Sequence, residues 1–374
     1  MSTSYWLAEE APALEPNRVE GRVDVAIVGG GVTGCACAYA LARGGLRVRV
    51  YEARKIAEGA SGRNGGFALR GGAPAYDEAR RELGPERARS LWALTEHALE
   101  RIKSLAGDAF ERTGSLRLAA DEAELVALRA EHDALQEDGF AVEWRGVLAE
   151  PLRAQFLGAL FHPPDGAIQP ARWVRRLAAL ASEAGADIRE GSPVGSLDEL
   201  DADAVLIATD GYTKGLVPAL DAAVQPTRGQ VIVTEPLSSR LFDCPHYARH
   251  GYDYWQQTKD GRLVIGGCRD RALEEEFTAE EATTAAVQEG IEELAAELIG
   301  EPLQVSHRWS GIFGTIEDRI PLAGPLPGSD RVWVACGYSG HGNVLGFACG
   351  ELVAEAILGE PAPELELFDP ARLL

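Results

Sequence analysis

The sequence predicts an α/β protein in which a Rossmann-like, dinucleotide-binding domain is interleaved with an α+β domain built on an antiparallel sheet. Three observations predict it. An apolar run, a glycine turn, a helical pattern and a second strand follow one another in "RVDVAIVGGGVTGCACAYALARGGLRVRVYEA". A further apolar run ending in glycine, "ADAVLIATDG", returns to the same kind of buried strand at 202–211. Between 229 and 314 the pattern is antiparallel, with the Asp-Gly hairpin turn "TKDGR" at 258–262.

Taken in order, Val23 to Val28 is a short apolar run, broken only by Asp24, suited to a strand buried on both faces. A helical pattern runs from Val32 to Arg43 and stops at Gly44-Gly45. Arg47 to Tyr51 alternates into a second strand that ends at Glu52. Then comes "EGASGRNGGFALRGG", Glu58 to Gly72, in which six of fifteen residues are glycine. So much backbone freedom implies a chain drawn close around something. Helices are predicted at 85–106, 122–136 and 170–184, with a strand at 114–120. Strands follow in "GQVIVTEP", "YDYWQQ", "RLVIGGC" and "LQVSHRWSGIF", with a helix from Ala279 to Ile299. The stretch 331–359 reads as strand, glycine turn and helix. Segments 20–80, 161–228 and 316–374 therefore belong to the dinucleotide-binding domain, and 81–160 and 229–315 to a substrate domain. The first 22 residues are acidic and polar, and read as an arm ahead of the first strand rather than an export signal.

The chain has 374 residues and a formal net charge of −22. That charge excludes a nucleic-acid partner, which needs a basic footprint. No apolar run is long enough for a membrane span. The six cysteines have the spacing of neither a disulfide framework nor a zinc site. Cys35 and Cys37 read as small core residues, no metal is expected, and the localisation expected is cytoplasmic.

Gly29, Gly31 and Gly34 form G-x-G-x-x-G between a strand and a helix. In that place Gly29 makes the tight turn, Gly31 admits a pyrophosphate and Gly34 lets helix and strand pack closely. Val32 and Thr33 open a helix whose free N–H groups favour phosphate. Glu52, followed by Ala53, stands where an acid accepts from the ribose hydroxyls, which argues against a 2′-phosphate. NAD and FAD remain equally open on this turn.

Five motifs in order are similar to the FAD-dependent oxidoreductases of the D-amino-acid oxidase superfamily, which include sarcosine and glycine oxidases. They are "VAIVGGGVTG…VYEA", "GASGRNGGF", "VLIATDGY", "WSGIFGTIEDRIPLAG" and "CGYSGHGNVLGFACGELVA". The opening "SYW" and the "GRNGG" variant resemble most the gamma-glutamylputrescine oxidase branch. The resemblance spans nearly the whole chain and speaks to the superfamily far more than to the substrate. It implies non-covalent FAD, since no Cys aligns with the covalent linkage of sarcosine oxidase. It implies that Ser61, Arg63 and Asn64 contact the pyrophosphate, ribityl chain or flavin, and that Gly65, Gly66 and Phe67 pass flat against the ring. Val194 and the strand-end pair Ala208-Thr209 would border the dinucleotide; Asp210 stands where relatives often have Gly. Gly337, Gly340, His341, Gly342, Asn343 and Val344 would form the closing loop, with the helix N-terminus favouring the reduced flavin.

The reaction implied is hydride removal from a carbon next to an amine nitrogen, with the imine hydrolysed and O2 reduced to H2O2. No acid–base residue is required; His341 and Arg70 are the candidates. The carboxylate-binding Arg of glycine and D-amino-acid oxidases aligns with Phe313. The closing-loop Lys of sarcosine oxidase aligns with Gly342-Asn343-Val344, and its oxygen-activating Lys with Val264. Arg70 aligns with another carboxylate-binding Arg. The pocket candidates are Arg70, Tyr252, Tyr254, Trp255, Trp309, Phe313 and Tyr338, whose aromatic walls suit an amine cation. The expected partners are a primary or secondary amine, such as a polyamine derivative, and O2. The alternatives are an amino-acid oxidase using Arg70 or Arg269, a flavin dehydrogenase with another electron acceptor, and a flavin-bearing subunit without turnover of its own.

Overall fold

The structure, a computed structural model, describes residues 3–14, 17–300 and 303–374. A six-stranded sheet runs in the order Leu322–Pro325, Val332–Cys336, Ala202–Ile207, Val23–Val28, Val48–Tyr51, Asp187–Arg189. All neighbours pair in parallel except the edge strand Leu322–Pro325. Val23–Val28 lies inside this sheet with Val23, Val25, Ala26, Ile27 and Val28 buried, which is why the run is apolar without alternation from Val25 onward, while Asp24 at its start pairs with Arg47.

The helix Val32–Arg43 packs against Pro170–Glu183 and against the last long helix, Gly342–Leu358. Gly346 and Gly350, one turn apart, make this second crossing close. A Cβ at either would stand 2.8 Å from Thr33 Oγ1 or 2.5 Å from the Thr33 carbonyl oxygen. The Tyr338 hydroxyl shares a 2.9 Å hydrogen bond with Thr33 Oγ1. The loop before the last helix is thereby laid against the first glycine turn.

The second sheet has eight strands, in the order Val305–Thr315, Gln225–Pro236, Arg262–Gly267, Asp253–Gln257, His246–Ala248, Ser115–Ala119, Gly158–His162, Glu143–Arg145. It is antiparallel except where His246–Ala248 meets Ser115–Ala119. A small third sheet joins Phe67–Ala68, Gly166–Ile168 and Phe110–Glu111, so the second glycine loop leads into it. Among the described residues no helix is long and apolar enough to cross a membrane.

Three sequence expectations change. The helix expected from Ala279 begins at Ala285. Upstream, Thr284 donates its N–H to Gln230 Oε1 at 3.0 Å, and Glu276 is buried on Arg228 at 2.8 Å, so the chain is held in turns and irregular backbone. The strand expected from Gly229 begins at Gln225, because its partner continues to Thr315. The N-terminal arm is a packed element: Tyr5–Ala8 is a short helical turn with Trp6 buried. Trp6 Nε1 donates to the Asn64 carbonyl at 2.8 Å and Ser4 Oγ to that of Gly62 at 2.9 Å. All six cysteines are free and buried.

Candidate active site

A cavity of about 1180 Å³ lies where the two large sheets and the glycine loops meet. Gly29, Gly31, Val32 and Thr33 line it from the first turn. Gly29 has φ +113, and a Cβ there would stand 2.5 Å from the Ala208 carbonyl oxygen. Gly34 lies outside the lining; its Cβ would stand 2.0 Å from the Gly29 carbonyl oxygen, so it serves packing. Glu52 and Ala53 line the cavity from the end of the second strand. Glu52 Oε2 accepts the Gly30 N–H at 2.7 Å, and Oε1 accepts that of Arg54 at 2.8 Å. The carboxylate thus holds the glycine turn in shape.

Ser61, Arg63, Asn64, Gly65 and Phe67 line the cavity from the second loop, and Val194, Ala208 and Thr209 from two further segments. Ser61 Oγ accepts the Val32 N–H at 3.0 Å, tying the second loop to the helix N-terminus. Asn64 and Asn343 exchange amide hydrogen bonds at 3.1 and 3.0 Å, and Asn343 also donates to the Phe67 carbonyl at 2.7 Å. Gly340, His341, Gly342, Asn343 and Val344 line the cavity; Gly337 and Gly66 do not. Gly337 donates its N–H to Asp210 Oδ1 at 2.8 Å. Gly66 is covered by Gln256, which donates to its carbonyl at 2.8 Å.

Two of the lining residues that were not read from the sequence as site residues are Asp210 and Glu281. Asp210, at φ +46, accepts the N–H groups of Gly314 and Gly337 at 2.8 Å each. It joins the two sheets and the closing loop at one carboxylate, and burial pushes its pKa up against those hydrogen bonds. Glu281 comes from a stretch that the sequence places in the helix expected from Ala279. It accepts from Arg54 at 2.6 Å and from the Tyr212 hydroxyl, and lies 3.5 Å from Arg63 Nη2. Burial opposes its charge, but those donors and the two arginines outweigh it and its pKa is lowered. Arg63 is therefore paired with a protein carboxylate, and also donates to the carbonyls of Glu58 and Ser310.

Tyr252, Tyr254, Phe313 and Tyr338 line the cavity as the pocket reading requires. The Tyr254 ring covers Gly65, where a Cβ would meet it at 2.9 Å, and makes an edge contact with Phe67 at 5.8 Å. Burial raises the Tyr254 pKa, so the phenol is neutral. Burial also lowers the His341 pKa to about 4, leaving a neutral imidazole at neutral pH.

Three pocket candidates are corrected. Trp255 is fully buried behind the sheet, stacked on His246 at 5.4 Å. Trp309 is also fully buried and donates Nε1 to the Arg63 carbonyl at 2.8 Å, bracing the second loop from behind. Arg70 does not reach the cavity; its side chain is wholly buried, paired with Glu96 at 2.6 Å and donating to the Ala141 carbonyl at 3.1 Å. Aromatic type and proximity in sequence marked these residues, but strand alternation and burial of Arg70 in its own ion pair turned them away.

The residues present fit a flavin dinucleotide. A Cβ at Gly31 would stand 3.0 Å from Ser61 Oγ, inside the crevice between the two glycine loops. The helix N-terminus and Glu52 would supply phosphate and ribose chemistry on one part of the wall, and the aromatic side chains a flat apolar surface on another. No cysteine lines the cavity.

The family profile described as FAD dependent oxidoreductase (DAO) matches residues 24–356. The glycine oxidase of Geobacillus kaustophilus (strain HTA426) is 30% identical, covering 90% of this chain and 93% of its own. The gamma-glutamylputrescine oxidoreductase of Escherichia coli (strain K12) is 28% identical, covering 90% and 84%. The crystal structure of glycine oxidase from Geobacillus kaustophilus superposes with a TM-score of 0.76 at 26% identity, covering 94% of this chain and 98% of that one.

Proposed function

The chain belongs to the DAO family of FAD-dependent oxidoreductases, which act on amine or amino-acid CH–NH groups, and from that premise we propose that it oxidises a primary or secondary amine with O2 as the acceptor. The observation that carries this reading is the aromatic part of the cavity wall. Tyr252, Tyr254 and Phe313 line it, Phe313 stands where the resemblance places the family's carboxylate-binding arginine, and His341, also on the cavity wall, is neutral. FAD, when bound, accepts the electron pair and hydrogen from the carbon next to the amine nitrogen and passes the electrons to O2. Amine, O2 and water give a carbonyl compound, ammonia or the smaller amine, and H2O2.

The chain's own residues bind and orient. The helix N-terminus at Gly31–Thr33 offers N–H groups to the pyrophosphate. Glu52 accepts from the adenosine ribose while holding the turn. Ser61 and the Asn64–Asn343 pair keep the two loops at the spacing the dinucleotide needs. Gly65 and Phe67 present the loop to the flavin, and the helix from Gly342 directs its dipole at the ring. The aromatic walls hold the amine and exclude bulk water, with no titrating side chain needed for proton transfer. Binding is non-covalent, and the segments 20–80, 161–228 and 316–374 form the cofactor domain.

Peroxide release from the purified holoenzyme across a panel of primary, secondary and N-substituted amines tests the reading. Turnover of at least one amine with stoichiometric H2O2 is expected. Bleaching of the flavin by amines without peroxide would refute O2 as the acceptor.

A further inference from the structure

Ser4 and Trp6, from the N-terminal arm, both end on the second glycine loop. Five consecutive carbonyls of that loop, Gly62 to Gly66, each accept a side-chain hydrogen bond. Ser4 Oγ donates to Gly62 at 2.9 Å, Trp309 Nε1 to Arg63 at 2.8 Å and Trp6 Nε1 to Asn64 at 2.8 Å. Gln256 Nε2 donates to Gly65 at 2.5 Å and to Gly66 at 2.8 Å. All four donor residues are buried and none of them lines the cavity, so the loop is gripped from its far side. Its near side is cavity wall at Arg63, Asn64 and Gly65. The arm is itself fixed. Ser4 Oγ accepts the Trp6 N–H at 3.2 Å, closing the turn that presents both side chains to the loop. Gln169 Nε2 donates to the Trp6 carbonyl at 3.1 Å. The Tyr5 hydroxyl donates to Asp260 at 3.1 Å, in the hairpin of the second sheet, and its ring meets His307 edge-on at 5.5 Å. Glu9 pairs with Arg172 of the helix Pro170–Glu183.

We propose that Ser4 and Trp6 are positioning residues for the flavin: they hold the backbone of Gly62–Asn64 in its FAD-binding shape before the cofactor arrives. The inference rests on the reading that this loop meets the flavin. The first reason is entropic. A glycine-rich loop has many conformations to lose on binding. A carbonyl held by an indole or hydroxyl on a packed arm has lost that freedom already, so FAD need not supply it. The second reason is electrostatic. A carbonyl drawn to the far side keeps its negative end off the place where the reduced flavin would carry charge. Asn64 carries the effect across the crevice, since its amide is paired with that of Asn343 in the first turn of the last helix.

The test compares the full-length wild type with three variants. Trp6→Phe keeps an aromatic ring and removes the donor, Ser4→Ala removes the other donor, and Arg172→Gln cuts the arm's tie to its helix without touching the loop. Apoprotein is titrated with FAD by flavin fluorescence, and the visible circular dichroism of the loaded protein reports the surroundings of the ring. The FAD dissociation constant is expected to rise about tenfold in Trp6→Phe and in Ser4→Ala, as freeing one residue of backbone implies, with a changed dichroism. Arg172→Gln keeps the wild-type dichroism and an affinity within about twofold. A lowered apoprotein Tm in Trp6→Phe and Ser4→Ala with wild-type affinity and dichroism overturns the proposal, because the arm would then serve stability alone. An equal loss of affinity in Arg172→Gln overturns it too, since a loosened arm rather than the two donors would be the cause. Asn64→Ala separates this failure from that of the loop reading. If Asn64→Ala weakens FAD binding and the arm variants do not, only the proposal falls. If Asn64→Ala changes neither affinity nor dichroism, the loop does not meet the flavin and both fall.

Discussion

Replacing Glu52 by Gln takes one acceptor from a carboxylate that is used twice. Its two oxygens hold the N–H groups of Gly30 and Arg54 at 2.7 and 2.8 Å. Each oxygen has a second lone pair, and these are what a ribose hydroxyl would meet. A Gln side chain has one acceptor oxygen and an NH2 group that cannot accept, so one of the two backbone groups loses its partner. A hydrogen bond to a charged acceptor contributes roughly 1.5–3 kcal/mol. Part of that falls on the apoprotein, whose Tm should drop by about 2 °C for each kcal/mol in a chain of this size. The charge lost toward the ribose falls on the complex, and FAD affinity should weaken by at least about tenfold. Fluorescence titration of apoprotein with FAD measures the second effect, and thermal unfolding without FAD measures the first. An unchanged FAD dissociation constant in Glu52→Gln would refute the ribose role. An unchanged apoprotein Tm would refute the role in the turn.

Gly34→Ala should yield no FAD-loaded protein, because its Cβ would stand 2.0 Å from the Gly29 backbone oxygen and the turn must move; a yellow, folded variant contradicts this. Arg70→Ala should cost about 3 kcal/mol of stability by leaving Glu96 without its partner, while KM for the amine stays within about twofold; a large rise in KM would return Arg70 to the pocket. Acidification should destabilise the holoenzyme. Burial lowers the His246 pKa from 6.5 to about 4, so the unfolded chain binds a proton that the folded one refuses. The stability this group contributes is present above pH 6.5 and is lost as pH falls toward 4, roughly 3 kcal/mol in all. His341 and His162 act in the same direction. Asp165, raised to about 6 by burial, acts oppositely, as do Asp210 and Glu355. Tm should fall between pH 7.5 and 5, less steeply in His246→Phe, and a Tm flat over that range would disprove the assignment.

The local elements were legible because their determinants are local. The strand Val23–Val28 and the helix Val32–Arg43 occur at the bounds read from apolar pattern and glycine stops. The family was legible because five motifs stand in order along one chain. Glu281 carried no signal, since an acid among acids looks the same whether it meets water or two arginines. The helix expected from Ala279 failed for a related reason: Gln230 and Arg228, on a distant strand, hold 276–284 in irregular, non-helical backbone.

By itself the sequence determined the βαβ unit, the glycine cradle and the flavin chemistry, because turns, strand burial and close backbone approach leave residue types that cannot be exchanged. Which arginines are claimed by a protein carboxylate was decided only by the tertiary structure. Arg63, Arg70 and Arg269 look equivalent as letters, yet Glu281 takes the first, Glu96 takes the second, and the third lies over the rings of Tyr252 and Phe313 on the cavity wall. Partner choice for a charge depends on which carboxylates are brought within a few ångströms, and that is a property of the packed chain.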